Sequence, residues 1–542
     1  IATIMSLKSI NDKIKSRNFF YTNFDSMHDP FLMLDMDKAV HRLSKARDKK
    51  ELILIIGDYD ADGTTATSIL YLYFQSISLD VEYYIPNRQT EGYGISKKAI
   101  EYAHKIGAKL IITCDCGITA VDEIKYAKDY KIDTIITDHH KQKDSLPKAY
   151  AILNPNRRDC TYPFKGLCGA GVAFKLAFAI AEKLSIEPEN VWCYADLATL
   201  GTAADMVPLI DENRIISHIG LGQIRGGNNL GISSLIRTSN LNINHITIGQ
   251  ISFWVTPKIN AAGRLGDASR AVKLLTSNNS IYAIESAKKL HLENEKRKDI
   301  TKLMEQESIS MVDKQLEVQD KQSIVLYKEG WNTGIIGIVA SRIKEIYNRP
   351  TVIIGVEKGV GKGSCRSIKN FDIVEALKLC DNFLEGFGGH PMAAGLTINE
   401  EKLDNFIDNF ENICTEKLDL NALTPKIFID CEIKLNEINS RMINFLKYLE
   451  PFGPQNVKPK FLSRNVHVDG IPKLLGKDQS TIKFNIKQKG SLFEAIGFKM
   501  INEYEKLIKN VPIDVVYHIS ENHFNGKISL QLEIKEIRYS NV

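Results

Sequence analysis

No apolar run in this 542-residue chain approaches the roughly 18 residues that a membrane-crossing helix needs. No secretory leader is visible either, so the expected setting is the cytoplasm. Cysteine is sparse, nine in all, and scattered without the regular spacing of a disulfide framework. Cys114 and Cys116 flank Asp115 in a strand-end motif, a poor place for a structural disulfide, and a reducing compartment is the simpler reading. Charge of one sign is also lacking. A net +4 is too small to argue for nucleic acid by itself, so any basic surface must be local. What remains, 44% hydrophobic and 25% charged residues, is the composition of a globular protein of several domains.

The most informative stretch is Leu52-Ile53-Leu54-Ile55-Ile56-Gly57-Asp58-Tyr59-Asp60-Ala61-Asp62-Gly63. An unbroken apolar run predicts a strand buried on both faces. After Gly63 the period becomes helical, through Ala66, Ile69, Leu70, Tyr73 and Phe74. Three aspartates therefore stand on a strand-to-helix turn at the carboxyl end of a strand, where open α/β sheets place their chemistry. An EF-hand is excluded: a strand precedes the acids, and Ile69 occupies the place of the loop's last glutamate. An acidic surface turn without a ligand remains open on this motif alone.

Further along, acids and histidines recur at the ends of successive strands. Lys109–Thr113 ends in Cys114-Asp115-Cys116-Gly117, and Thr134–Thr137 ends in Asp138-His139-His140. A helix then delivers Ala204-Asp205-Met206-Val207-Pro208-Leu209. Strand and helix alternate throughout, which predicts a doubly wound parallel α/β sheet. Several carboxylates with one or two imidazoles favour manganese or magnesium over zinc. The surplus of acids suggests two ions, the arrangement that clamps a phosphoryl transfer.

These four motifs, in this order, resemble those of the DHH phosphoesterases. The resemblance implies two divalent cations, Mn²⁺ or Mg²⁺, held by Asp60, Asp62, Asp115, His139 and Asp205, with Asp115 as the bridge. It implies a place for His140 beside the scissile phosphate. Many relatives carry a further histidine where this chain has Ile56, so Asp58 or water is expected to compensate.

The second half reads as three parts. Residues 216–320 are mostly helical, with a long charged helix over Ser280–Leu316 read as a solvated linker. Within this part, Asn260-Ala261-Ala262-Gly263-Arg264 reads as a tight basic turn able to meet a phosphate. Residues 321–425 form a second α/β unit with two glycine-rich stretches, Gly361–Ser367 and Gly388–Gly395, expected as loops. No role is assigned to Asn332, where relatives carry a histidine. Residues 426–542 show five short alternating segments after Pro451-Phe452-Gly453-Pro454-Gln455-Asn456, as in a small OB-type barrel. Lys473, Lys477, Lys483, Lys487, Lys489 and Lys499 accompany Phe484, Phe493 and Phe498 there, which suits single-stranded nucleic acid unless the phenylalanines are core.

The four-part layout, with a DHH core over residues 1–215, is similar to the single-strand-specific exonucleases of the DHH family. That likeness implies 5′-to-3′ degradation of single-stranded DNA in repair and recombination, by a monomer acting with single-strand binding protein and a helicase. It also implies a DNA-binding pocket of Arg264, Ser364 and Arg366 for a terminal phosphate, with Gly389 and His390 nearer the scissile bond. Two alternatives stand beside it: a phosphodiesterase or phosphatase acting on short nucleotides, and a non-catalytic strand-binding relative.

Overall fold

The computed structural model describes residues 1–22, 24–88, 90–318, 321–418, 423, 426–476, 479–509, 511–524 and 527–540. Lys477 lies outside them. The chain divides into two compact units. One comprises Ile1–Thr256, Ala271–Ala283 and Phe428–Val542, the other Pro257–Arg270 and Ile284–Ile427.

The first unit is built on a five-stranded sheet of β1 (Ile53–Gly57), β2 (Val81–Tyr84), β3 (Leu110–Cys114), β4 (Asp133–Thr137) and β5 (Ala151–Leu153), in the order β2-β1-β3-β4-β5. Every pairing is parallel. Alternation along the strands divides the apolar side chains between two faces. Leu54, Ile56, Ile111, Ile136 and Ile152 pack with Ala99, Ile100 and Ala103 of the helix Lys97–Lys105, and with Ile124 and Ala127 of the helix Val121–Asp129. The opposite face is covered by the helices Met36–Lys49, Ala61–Ser76 and Gly169–Lys183. Ile56, in the place of the relatives' extra histidine, is fully buried in the first of these cores. The edge strand β5 is only three residues long and went unrecognised in the sequence, since so short a run carries no period.

The same unit contains a five-stranded barrel of β12 (Phe461–Leu475), β13 (Thr481–Gln488), β14 (Ser491–Gly497), β15 (Ile513–Phe524) and β16 (Lys527–Tyr539), with the short strand β11 (Cys431–Glu432) added beside β12. The order is β11-β12-β13-β14-β16-β15, and β12 also pairs with β15, which closes the barrel. Phe484 is core, whereas Phe498 is exposed. Lys483 and Lys487 form cross-strand ion pairs with Glu494 and Asp469, both at 2.8 Å.

The barrel's entry segment is tied to the DHH part. The Leu209 N–H donates to the Pro454 carbonyl at 2.7 Å. Arg214, buried on the helix Asp211–Gly226, donates to the carbonyls of Tyr448 (3.1 Å), Leu449 (3.0 Å) and Phe19 (3.2 Å). Asn456, also buried, donates to the carbonyls of Leu449 and Pro451 and accepts from Lys8 Nζ.

The second unit carries a mixed sheet of β6 (Ile324–Glu329), β7 (Thr351–Glu357), β8 (Val360–Arg366), β9 (Leu384–His390) and β10 (Ala393–Asn399), in the order β6-β7-β8-β10-β9. The first stretch expected as a glycine-rich loop is strand β8, and the second, Gly388–Gly395, is the hairpin that ends β9, turns at Pro391-Met392 and begins β10. Gly361 and Gly363 face inward, where a Cβ would meet Ile354 at 2.9 Å and Leu396 at 2.8 Å, so these glycines serve packing. The expected Arg264 turn is instead the end of a helix, Thr256–Leu265. Its Ile259, Ala261 and Ala262 are fully buried, and that apolar face outweighs the turn signal of a single glycine.

Candidate metal centre

The acids of the first unit reach one place because three strand ends are zipped together. Asp58 N–H donates to the Cys114 carbonyl (3.1 Å), Asp115 N–H to that of Thr137 (2.9 Å), and Asp138 N–H to that of Leu153 (3.0 Å). Asp58, Asp115 and Asp138 therefore follow one another along the carboxyl edge of the sheet. Asp115 has φ +62°, a left-handed conformation that Asp tolerates better than most residues.

Asp60 caps the helix Ala61–Ser76, its Oδ1 accepting from Asp62 N–H (2.9 Å) and Gly63 N–H (3.0 Å). Asp62 is held from the other side. Its two oxygens accept from Gly169 N–H (2.6 Å) and Ala170 N–H (2.9 Å), at the start of the helix Gly169–Lys183. Free N–H groups and the helix dipole there stabilise a buried negative charge. Gly169 cannot be larger: a Cβ would lie 2.5 Å from Asp115 Cβ.

Histidines complete the cluster. His139 Nε2 is 3.1 Å from Asp115 Oδ1, 3.7 Å from Asp205 Oδ2 and 3.9 Å from Asp62 Oδ2. Three groups can each converge on one point: Asp58, Asp60 and Asp115; Asp62, His139 and Asp205; Asp115, His139 and His140. Asp115 belongs to two of them. Asp58 Oδ1 and Asp115 Oδ1 are buried without a hydrogen-bond partner. Burial first, and neighbouring acids second, push Asp58, Asp60 and Asp115 above the usual carboxylate range. The same causes take Asp205 to about 8. Burial keeps His139 neutral, the form that binds a metal. Orphaned oxygens among crowded acids fit a pair of hard divalent cations.

Asp138 organises both imidazoles without joining the acids. Its Oδ1 accepts from the backbone of His139 (2.7 Å) and His140 (3.0 Å) and lies 2.7 Å from His140 Nδ1. Burial is the largest single influence and opposes the His140 charge, but the bond to Asp138 together with the attraction of Asp138, Asp205 and Asp62 outweighs it and raises His140 to about 9. Asn154 and Asn156 donate to the carbonyls of His140 (2.8 Å) and His139 (2.7 Å). The Tyr93 hydroxyl donates to the Asp115 carbonyl at 3.1 Å, and its ring packs edge-on against His140. Two thiols flank the central acid. Cys114 and Cys116 are fully buried, burial taking Cys114 to about 12 and Cys116 well above the usual thiol range.

Gly169, Ala170, Tyr93 and the two asparagines were not singled out in the sequence as parts of the site, and Asp138 was named within its strand-end motif but given no role. The only signal for the first pair is the small-residue run Cys168-Gly169-Ala170-Gly171 opening an apolar helix.

In the second unit, Arg264, Ser364 and Arg366 converge on the start of the helix Ile336–Tyr347. Arg264 donates to the Gly334 carbonyl just before it. Arg366 donates to Ser341 Oγ and Ser364 Oγ, both at 2.9 Å. A Cβ on Gly337 would lie 3.0 Å from both Arg366 and Ser364. Arg366 makes no ion pair among the described residues. Two guanidinium groups and a hydroxyl at a helix N-terminus have the makings of an anion pocket. His390 stands at the same end of the sheet, in register through Ala393, which pairs with both His390 and Arg366. Gly389, beside it, has φ +147°.

Residues 52–202 match the DHH family, N-terminal domain; residues 320–416 match the DHHA1 domain; residues 429–536 match the RecJ OB domain. The chain is 38% identical, over its whole length and 68% of the relative's, to the single-stranded-DNA-specific exonuclease RecJ of Bacillus subtilis. It is 35% identical to RecJ of Haemophilus influenzae, over 94% of this chain and 92% of that one. A crystal structure of RecJ in complex with Mn²⁺ from Thermus thermophilus superposes with a TM-score of 0.81 at 27% identity, covering 94% of this chain and 72% of that one.

Proposed function

The chain belongs to the RecJ family of single-stranded-DNA-specific exonucleases, and on that footing we propose that its strand-end acids hydrolyse the phosphodiester backbone of single-stranded DNA from the 5′ end. It is a metal-dependent exonuclease, and its cations are Mn²⁺ or Mg²⁺. The observation that carries the catalytic assignment is the convergence of Asp115 with Asp58 and Asp60 on one side and His139 on the other.

Asp58, Asp60 and Asp115 would hold one cation, and Asp62, His139 and Asp205 the other, with Asp115 shared. Bound there, the pair supplies Lewis acidity to the phosphate and to an attacking water. The chain's own part is positioning. Asp60 and Asp62 are each aimed by two backbone N–H groups. His140, fixed through Nδ1 by Asp138 and protonated near neutral pH, would turn its other nitrogen, 3.5 Å from the Tyr93 hydroxyl, to donate to a phosphoryl oxygen. Tyr93 buttresses both His140 and the backbone of Asp115.

Direction is assigned to the pocket of Arg264, Ser364 and Arg366, which takes a 5′-terminal phosphate, with Gly389 and His390 on the next phosphate. Planar guanidinium forks suit the doubly charged end of a strand. The division into 1–215, 216–320, 321–425 and 426–542 then reads as chemistry, linker, end recognition and strand binding. No helix among the described residues is long and apolar enough to cross a membrane. The reading places the protein in the cytoplasm as a monomer, working with a helicase and single-strand binding protein in repair and recombination.

The direct test is digestion of single strands labelled at either end, in Mn²⁺, Mg²⁺ or chelator. The expected outcome is mononucleotide release from the 5′ end with either cation and none with chelator. Loss of a 3′ label first, or cleavage of duplex as fast as single strand, overturns the reading.

A further inference from the structure

From Ile248 to Leu265 the chain is helical without a break, but Ile251–Val255 is wound as a π-helix. Such turns are rare and gather at functional sites. This one buries Ile251 and Val255 fully and turns the neighbouring Phe253 outward, 71% exposed. A phenylalanine that exposed contributes nothing to the core and presents a bare aromatic face.

Phe253 lines a cavity of about 460 Å³ within the first unit, large enough for one nucleotide. Its walls come from three directions. Thr202, Ala203, Met206 and Leu209 belong to the segment that carries Asp205. Ile248 and Ser252 precede Phe253 on the helix. Phe452, Pro454 and Val457 belong to the barrel's entry segment. Met206 is the residue after Asp205, has φ +52° and is 56% exposed, so the cavity opens one residue from a proposed metal ligand. Lys458, Lys460 and His518 supply the polar rim from the barrel side, and no acid is among the described residues that line the cavity.

An apolar, aromatic floor with a basic and acid-free rim is the chemistry that grips single strands: stacking for a base, cations for the phosphates beside it. We infer that this cavity holds one nucleotide of the substrate strand between the metal centre and the barrel, its base stacked on Phe253 and its phosphates drawn by Lys458 and Lys460. The inference rests on the single-strand exonuclease reading and adds a subsite to it.

The test uses 5′-phosphorylated twelve-nucleotide strands with 2-aminopurine at one position at a time, bound to the full chain in chelator so that none is cut. Stacking on Phe253 should quench the probe at one internal position. Phe253→Ala should abolish that quench and weaken binding at least about fivefold, whereas Phe253→Trp should restore both. Lys460→Gln should lower the slope of log affinity against log salt by about one.

If quench pattern and affinity are the same in wild type and Phe253→Ala, the subsite is overturned. It is overturned equally if Phe253→Leu, which fills volume without stacking, restores quench and affinity fully, since the cavity is then a generic apolar dock of the kind a protein segment would fill. If the wild-type chain neither binds the strands nor cuts them with Mn²⁺, the exonuclease reading falls and the subsite falls with it.

Discussion

The amide of Leu209 and the carbonyl of Pro454, far apart in the sequence, meet at 2.7 Å. Leu209 closes the strap that begins at Asp205, and Pro454 belongs to the entry of the barrel. Asn213 donates to the Pro208 carbonyl at 2.9 Å and fixes the strap from its other side. Asp205 accepts no hydrogen bond to its carboxylate among the described residues, so its position depends on this strap. The barrel entry is therefore part of the frame of the candidate metal centre as well as a lead into the OB barrel.

Arg214 is the clasp of that frame, and its replacement gives a stability prediction. Arg214→Ala orphans several buried carbonyls, at about 1–3 kcal/mol each. Urea unfolding should show a loss of at least about 2 kcal/mol, with Arg214→Lys intermediate because an ammonium lacks the planar fork. A midpoint unchanged in Arg214→Ala would mean that the clasp bears no load.

Asp115 belongs to two of the three groups able to hold a cation, so on the proposed reading Asp115→Ala should reduce strand cleavage by more than the roughly hundredfold limit of losing an outer partner. Titration calorimetry with Mn²⁺ should lose its tight phase, while affinity for a long single strand stays within about threefold. Near-wild-type cleavage by this variant would remove Asp115 from the mechanism.

Gly169→Ala tests the close approach behind Asp115. The added methyl, 2.5 Å from Asp115 Cβ, must displace either that acid or the N–H pair that holds Asp62. Displacements of about 1 Å can cost roughly a hundredfold in rate. Activity should drop on that scale while circular dichroism stays native, whereas Gly222→Ala, which meets nothing within 4 Å, should be silent.

Proton and cation compete for the same oxygens. Asp205 sits at about 8, and Asp58, Asp60 and Asp115 are also raised, so the cation-free folded protein holds protons that the unfolded chain has released above about 3.9. More protons on the folded state means stability that falls as pH rises through this window. A bound cation takes the protons' place. The gain in Tm on adding Mn²⁺ should therefore be larger at pH 8 than at pH 6, and an equal or smaller gain at pH 8 would contradict the assignment.

For the terminal-phosphate pocket, wild type should prefer a 5′-phosphorylated strand over a 5′-hydroxyl one. Arg366→Ala should lose most of that preference and still cut. Full preference in the variant would place end recognition elsewhere.

Much of this was legible in the sequence because strand ends are readable. Apolar runs that stop at Asp58, Asp115 and Asp138 announce both the strands and the edge on which the acids stand. The groups that hold those acids were not legible, since Gly169 and Ala170 act through backbone N–H, which nearly every residue possesses. Glycine also misled: in Gly361–Ser367 it makes room for Ile354 and Leu396 across a sheet, and in Gly263 it sits in a helix whose buried face is set by Ile259 and Ala262. Of the barrel's phenylalanines, Phe484 proved to be core, which residue type alone does not reveal.

The two thiols beside Asp115 carry a consequence for metal discrimination. Cys114 and Cys116 stand nearer the central acid in sequence than any other possible ligand, and soft ions such as cadmium bind thiolate far more strongly than carboxylate. Burial keeps both sulfurs protonated at neutral pH, and so silent as donors. A thiophilic intruder is thus met by the same oxygens and imidazoles as manganese, without the sulfur that would trap it. If that dry packing is what keeps soft ions from the sulfurs, a polar cavity opened next to Cys116 should make the enzyme sensitive to cadmium, and unchanged cadmium tolerance in such a variant would contradict it.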